Sequence, residues 1–166
     1  MANSIDRETR RFAAPLQGPE RLVGVGFRCW IAGYQTGDIA CWELAWDVYA
    51  SELGPAAARS AMTDLSCWVR RIRELAGREI VTLPAGCRAF CRDECVAVAM
   101  VAASQHNVCP ALRACTYALL GCAEIDGVVR ETDALATTLA GLDCRLSAAS
   151  ITLVGESLVA DSAARH

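Results

Sequence analysis

Three cysteines recur at four-residue intervals near the middle of the chain, at Cys87, Cys91 and Cys95. On a helix, residues four apart lie on one face, so the spacing stacks three thiols in a row if the helix reaches back to residue 87. Pro84 and Gly86 disfavour that extension, which leaves Cys91 and Cys95 as the firmer pair. Thiolates are soft ligands that suit zinc, Cu(I) or an iron–sulfur cluster. We interpret the three cysteines first as small apolar packing residues, with a thiolate metal site as the alternative.

Two further residues are candidate ligands that would complete this site, His106 and Cys109. In the pattern Cys87-x3-Cys91-x14-His106-x2-Cys109, the spacing between the two pairs falls within the range of structural zinc sites, and Cys3His is an accepted zinc ligand set. A straight helix over residues 91–105 would be about 21 Å long, at roughly 1.5 Å per residue, and would hold the pairs apart. The zinc hypothesis therefore requires that helix to be shorter or bent.

Cys109 is also a candidate reactive thiol. The adjacent Pro110 predicts a helix start, and the dipole at a helix N-terminus lowers the pKa of a thiol. His106 is near enough in sequence to act as a base for this thiol. Two interpretations follow, a Cys–His catalytic pair and a redox-sensing thiol. The sequence offers no identifiable oxyanion donor or orienting third group, so we assign no catalytic residue.

A cysteine is followed directly by a tryptophan at three places, Cys29-Trp30, Cys41-Trp42 and Cys67-Trp68. Consecutive residues of a helix do not share a face, so at most one member of each pair can point straight inward. We interpret the tryptophans as core anchors, with a cradle for a cofactor as the alternative.

The composition is that of a globular chain with an acidic balance. The 166 residues fit one domain, and 54% hydrophobic against 21% charged residues excludes intrinsic disorder. All 16 basic residues are arginines; with 19 acidic residues the net charge is −3. This acidity disfavours nucleic-acid binding, although residues 59–92 hold seven arginines against three acids.

The placement of apolar residues favours a cytosolic protein without a membrane span. The longest apolar run, Cys95–Ala103, has nine residues, whereas a spanning helix needs about 20. The first eleven residues are polar, so we expect no secretory signal. In a reducing cytosol the 10 cysteines are expected to be thiols rather than disulfides.

Apolar spacing predicts six helices joined by short turns. The clearest covers residues 55–76, and others cover 21–34, 39–53 and 91–105, with two more starting at Pro110 and near Asp126. Asp38 is placed as an N-cap and Gly54 as a helix stop. The apolar stripe of the 55–76 helix consists of Ala58, Ala61, Leu65, Trp68, Ile72 and Leu75.

These elements predict an all-α fold, a single-domain bundle of about five to six short helices with one short extended segment near residues 78–83. The bundle is expected over residues 21–146. A flexible N-terminal arm is expected over 1–20. Residues 147–166 are expected to form a C-terminal tail, with an alternating stretch at 150–154 that then frays.

The chain from about Glu43 to Leu146 resembles a family of small, uncharacterised helical bacterial proteins. The resemblance rests on the helix ending in Ala76-Gly77-Arg78, on Pro84-x2-Cys87-x3-Cys91, on Asp93-Glu94 and on an alanine-rich helix ending near Gln105. It implies a helical fold. It implies no activity, cofactor or catalytic residue.

From the sequence, the leading hypothesis is a non-enzymatic cytosolic regulatory or interaction protein that uses a helical face to bind a partner or a second copy of itself. The alternative is a thiolate metal-binding protein that uses Cys87, Cys91 and Cys95, with His106 and Cys109 as completing ligands. A redox-sensing thiol at Cys109 is the third hypothesis.

Overall fold

A computed structural model describes residues 14–163 of the chain as a bundle of α-helices. The helices are α1 (Gly18–Thr36), α2 (Ile39–Leu53), α3 (Pro55–Leu75), α4 (Arg92–Gln105), α5 (Cys109–Leu120), α6 (Asp126–Gly141) and α7 (Ala149–Ala163). The all-α prediction is confirmed, but residues 14–163 contain seven helices rather than five to six. Two short strands, β1 (Ala14–Pro15) and β2 (Ala89–Phe90), pair antiparallel.

The turns around α2 follow from residues that cap helices. Gly37 ends α1 in the left-handed conformation, with φ of 70°, and its N–H donates to the carbonyl of Gly33. Asp38 then caps α2, as predicted, because its carboxylate accepts from the N–H of Ala40 at 2.9 Å. Gly54 and Pro55 form the turn into α3, so α1, α2 and α3 follow one another with short connections.

The apolar stripe predicted for α3 is confirmed by burial. Ala58, Ala61, Leu65, Trp68 and Ile72 are fully buried, while Leu75 at the helix end is half-buried. The indole N–H of Trp68 donates to the hydroxyl of Thr132 on α6 at 2.9 Å, which satisfies its polar atom inside the core. Helix α3 is thereby fixed against α6.

Helix α4 lies at the centre of the bundle and contacts α1, α5, α6 and α7. From Asp93 to Ala103 each of its residues is buried. In an amphipathic helix, the spacing of Cys91, Cys95, Val98 and Ala102 would mark a single buried face. A helix surrounded by others is apolar on all sides and has no stripe, which explains the difference.

The C-terminal segment is a helix instead of the expected alternating and frayed tail. Helix α7 packs on α4 through Ile151, Val154 and Leu158, at helical spacings of three and four. Val154 is buried, whereas Leu153 is exposed. Because the exposed Leu153 is also apolar, the apolar residues near it alternate with polar ones in the way that is typical of a strand.

The N-terminal part also differs from the prediction. Helix α1 begins at Gly18, three residues before the predicted start, and β1 lies within the segment expected to be an arm. The rest of that predicted arm, residues 1–13, lies outside the described residues.

The segment at residues 78–83 contains no strand. It belongs to the α3–α4 connector, which we define as residues 76–91. No helix among residues 14–163 is both long and apolar enough to cross a membrane.

Candidate functional site

Arg28 on α1 and Glu94 on α4 form an ion pair in the interior of the protein. Their side chains are 1% and 0% exposed, and two guanidinium nitrogens of Arg28 donate to the two carboxylate oxygens of Glu94 at 2.6 and 3.0 Å. This two-point geometry is the strong form of an arginine–carboxylate contact. Hydrogen bonding to Glu94 and its negative charge raise the pKa of the Arg28 guanidinium, against the opposing effect of its burial.

The same pair holds the α3–α4 connector in place. Arg28 also donates to the carbonyls of Cys87 and Ala89, at 2.7 and 2.6 Å. Glu94 also accepts from the backbone N–H groups of Leu83 and Cys91, at 3.1 and 2.8 Å. Each polar group removed from water in this cluster therefore has a partner, which is the condition for a buried network to stabilise a single conformation.

A second ion pair fixes the start of the connector. Arg78 donates to both carboxylate oxygens of Asp93, at 2.6 and 3.0 Å, and Asp93 also accepts from the N–H of Val81 at 2.9 Å. Asp93 and Glu94 lie in the first turn of α4, where the helix dipole favours negative charge. The connector has no regular secondary structure apart from β2. Its conformation is held by the carboxylates of Asp93 and Glu94 at the start of α4.

The connector forms one wall of a groove, whose other walls are α1 and α2. We call it the α1–α2 groove; its volume is about 500 Å³. Its lining residues are Leu16, Gln17, Arg21, Val25, Arg28, Leu44, Val48 and the connector residues 85–88 and Phe90. The groove is of the size that small-ligand sites have in proteins, roughly 300–1,000 Å³.

The lining of the groove separates into an apolar part and a basic part. Leu16, Val25 and Val48 are half-buried, Phe90 is fully buried behind them, and Leu44 is 38% exposed. A methyl group at Gly24 would lie 2.8 Å from the ring of Phe90, so glycine there lets α1 approach this ring. The guanidinium of Arg28 lies 4.4 Å from the centre of the same ring.

Two arginines of the lining, Arg21 and Arg88, are exposed. Within residues 14–163 neither side chain makes a hydrogen bond or an ion pair. The charge of Arg28, in contrast, is matched by Glu94. The nearest acids in sequence to the α2 side of the groove are the exposed Glu43 and Asp47, each next to a lining residue. The groove thus offers two arginines available to an anion beside an apolar surface.

The cysteines predicted as metal ligands have other contacts. Cys91 is the N-cap of α4, and its thiol donates to the carbonyl of Val81 at 3.2 Å. The thiol of Cys95 lies 3.9 Å from the carbonyl of Phe90. Burial raises the pKa of both thiols to about 12, so both are neutral near pH 7.

His106 and Cys109 are separated from Cys91 because α4 is one continuous helix over nearly the whole predicted length. The helix covers 14 residues, about 21 Å at 1.5 Å per residue, and separates Cys91 at its start from His106 at its end. His106 Nε2 lies 2.8 Å from the carbonyl of Leu146. Within residues 14–163, no three His, Cys, Asp or Glu side chains are grouped to hold a metal ion. The predicted set of Cys87, Cys91, Cys95, His106 and Cys109 is therefore not brought together, and the structure lends no support to a zinc, iron–sulfur or copper site there.

Cys109 is the first residue of α5 and is exposed, as a reactive thiol must be. It lines a smaller cavity of about 330 Å³, together with Arg113 and Asp133. His106, the base proposed for it, is not among the lining residues of that cavity. The exposure of Cys109 is consistent with the redox-sensing hypothesis, which stays a prediction.

The tryptophans of the Cys-Trp pairs pack inside the bundle or between helices. Trp68 is buried in the core, and its ring centre lies 5.6 Å from that of Phe27. Trp30 and Trp42 meet edge-to-face between α1 and α2, with ring centres 6.1 Å apart. Trp42 also fills the space beside Gly33, where a methyl group would lie 2.6 Å from it. These contacts fit core anchors better than the walls of a cofactor site.

Sequence reasoning missed the α1–α2 groove. One signal was available, since Gln17, Arg21, Val25 and Arg28 recur at helical spacing on α1. No signal in the sequence indicated the wall made by residues 85–88. That wall depends on contacts between Arg28 and residues about sixty positions away. Comparison of the chain with protein-family models, with curated proteins and with solved structures gave no match.

Proposed function

We propose that the protein is a non-enzymatic interaction protein and that it binds its partner in the α1–α2 groove. The observation that carries the proposal is a concave site with accessible apolar side chains and a wall held by the buried Arg28–Glu94 ion pair. The cytosolic location expected from the sequence stays part of the proposal.

Preorganisation supports this assignment. A wall that is already in position does not have to be ordered when a partner binds, so less of the interaction energy is lost. Arg28 and Glu94 hold the wall from behind, with side chains at most 1% exposed, and therefore remain out of direct contact with the partner. The fixed wall and the accessible lining together support a binding site.

The test uses an uncharged aromatic probe, naphthalene-1-acetamide, and isothermal titration calorimetry on the full chain. We expect one probe to bind per chain. Val48→Phe fills the groove with a larger apolar side chain and should abolish binding, because the probe and the new ring need the same space. Leu153→Phe is the matched control, since Leu153 is exposed on α7 and does not line the groove. It should bind the probe as the unaltered chain does.

Circular dichroism would show that both variants keep their helices. If the probe does not bind, or if the folded Val48→Phe chain binds it as well as Leu153→Phe does, the groove is not the binding site and the proposal is wrong.

A further inference from the structure

We propose that the occupant of the α1–α2 groove is a small organic carboxylate with an apolar body and a single negative charge. This inference rests on the proposed function and specifies its ligand.

The charge of the ligand follows from the arginines. Arg21 and Arg88 line the groove from two different walls, α1 and the connector, and no acid within residues 14–163 pairs with either. An arginine guanidinium is a planar fork of donors that matches the two oxygens of a carboxylate. The protein as a whole carries a net negative charge, whereas this cavity is lined by two arginines without ion-pair partners among the described residues.

The number of charges follows from the opposite wall. Glu43 and Asp47 are exposed on α2 and adjoin Leu44 and Val48, which line the groove. Their negative charges offset part of the attraction of the arginines for a ligand of any negative charge, whereas the cost of removing a ligand from water rises more steeply than its charge, which disfavours a dianion such as a phosphate monoester. Arg28 adds no attraction because Glu94 neutralises it. A monoanion therefore fits the electrostatics of the groove better than a dianion.

The size and the apolar body follow from the lining. The cavity of about 500 Å³ carries Leu16, Val25, Leu44 and Val48 on its accessible surface. A protein partner would need an interface of about 800 Å² on each side, which requires apolar surface beyond the groove. Among the described side chains, five large apolar residues are exposed and only Leu44 of them lines the groove; the others are Ile39, Val108, Tyr117 and Leu153. This distribution favours a small molecule over a second protein.

The test compares two probes of the same shape, naphthalene-1-acetate and its uncharged amide, by calorimetry on the full chain. We expect the carboxylate to bind about tenfold more tightly at low ionic strength, and the difference to shrink as salt is added. The double substitution Arg21→Gln with Arg88→Gln should remove the preference, so that the carboxylate and the amide bind with equal affinity. Arg130→Gln, an exposed arginine on α6 outside the groove, is the control and should keep it.

The outcomes separate this inference from the proposed function. If both probes bind equally well, or if the double variant keeps the preference for the carboxylate, the inference is overturned while the groove remains a binding site. If naphthalene-1-acetate fails to bind, the inference is also overturned. Light scattering adds a further check, because dimers that dissociate on Val48→Phe substitution would show that a second copy of the chain occupies the groove, which overturns it as well.

Discussion

The hydroxyl group of Tyr49 on α2 lies against the backbone of α1 at Gly26, where a methyl group would be 2.5 Å from the hydroxyl oxygen. Tyr49 is fully buried, and its hydroxyl has no hydrogen-bond partner among residues 14–163. Burial raises the pKa of Tyr49, so the group stays neutral. Gly26 thus leaves room for the hydroxyl oxygen of Tyr49, although this oxygen makes no hydrogen bond there with the described residues.

Removing that hydroxyl should not weaken the protein. A buried polar group without a partner costs about 1–3 kcal/mol relative to a satisfied one, so Tyr49→Phe should leave the free energy of unfolding unchanged or raise it by about 1 kcal/mol. Urea denaturation gives the difference from the unaltered chain. A loss of more than about 1 kcal/mol would show that the hydroxyl has a stabilising contact after all.

Gly24→Ala should destabilise the fold even though alanine is the better helix former. The gain in helix propensity is about 1 kcal/mol, but the added methyl group meets the ring of Phe90 at 2.8 Å and Leu16 at 3.2 Å. Overpacking of this kind costs about 1–3 kcal/mol, so we expect a net loss in thermal and urea stability. Gly155→Ala in α7 is the matched control, because open space surrounds that position. It should stabilise the protein, and similar effects at the two positions would refute the steric argument.

Arg28→Met should cost about 3–5 kcal/mol in the free energy of unfolding, because it leaves the buried charge of Glu94 without its partner. Adding Glu94→Gln removes that charge, so the double variant should be less destabilised than the sum of the two single variants. Urea denaturation of all four chains measures this coupling. The exposed pair of Arg113 and Asp126 is the comparison, and Arg113→Met should change stability very little. Additive effects at Arg28 and Glu94 would contradict the role assigned to their contact.

The buried thiols should make the protein less stable in alkali. The pKa of Cys91 and Cys95 is raised to about 12 from an ordinary value of 9.0. Below pH 9 the thiols are protonated in both states; between about pH 9 and pH 12 only the unfolded chain releases these protons, so the free energy of unfolding falls. The slope is at most about 1.4 kcal/mol per pH unit for each thiol.

This dependence can be measured by urea denaturation at pH 8, 9 and 10. A variant with Cys91→Ser and Cys95→Ala lacks both thiols and should lose stability more slowly with pH than the unaltered chain. The serine keeps a capping oxygen at the start of α4. Parallel pH profiles for the two proteins would rule out a contribution from these two thiols.

Periodic patterns of apolar residues predicted those helices that bury one face and expose the other. The stripe of α3 from Ala58 to Ile72 is the clearest case, and the cap at Asp38 shows that local hydrogen bonding was also predictable. Helix α7 was missed because Leu153 is exposed beside the buried Val154. Pattern reasoning fails there because an exposed leucine is indistinguishable from a buried one in sequence.

The candidate site was predictable only in part, for a different physical reason. Asp93 and Glu94 lie in the first turn of α4, but the partners that give them their role are arginines on other segments. The cysteine spacing indicated a metal site, whereas the hydrogen bonds of Cys91 and Cys95 and the length of α4 place these residues in packing and capping roles. Contacts over such separations leave no periodic trace in a single sequence.

The link from Arg28 to the connector has a consequence for the order of folding. Helices assemble from neighbouring residues, but the contacts from Arg28 to Ala89 and Glu94 close loops of 61 and 66 residues, which is entropically costly and slow. A chain whose helices have formed but whose connector is not yet ordered therefore has the α1 and α2 walls of the groove and lacks the third. For the binding proposed above, the groove is complete only once these long-range contacts have formed, so its occupancy would distinguish molecules with an ordered connector from partly folded ones of the same helix content.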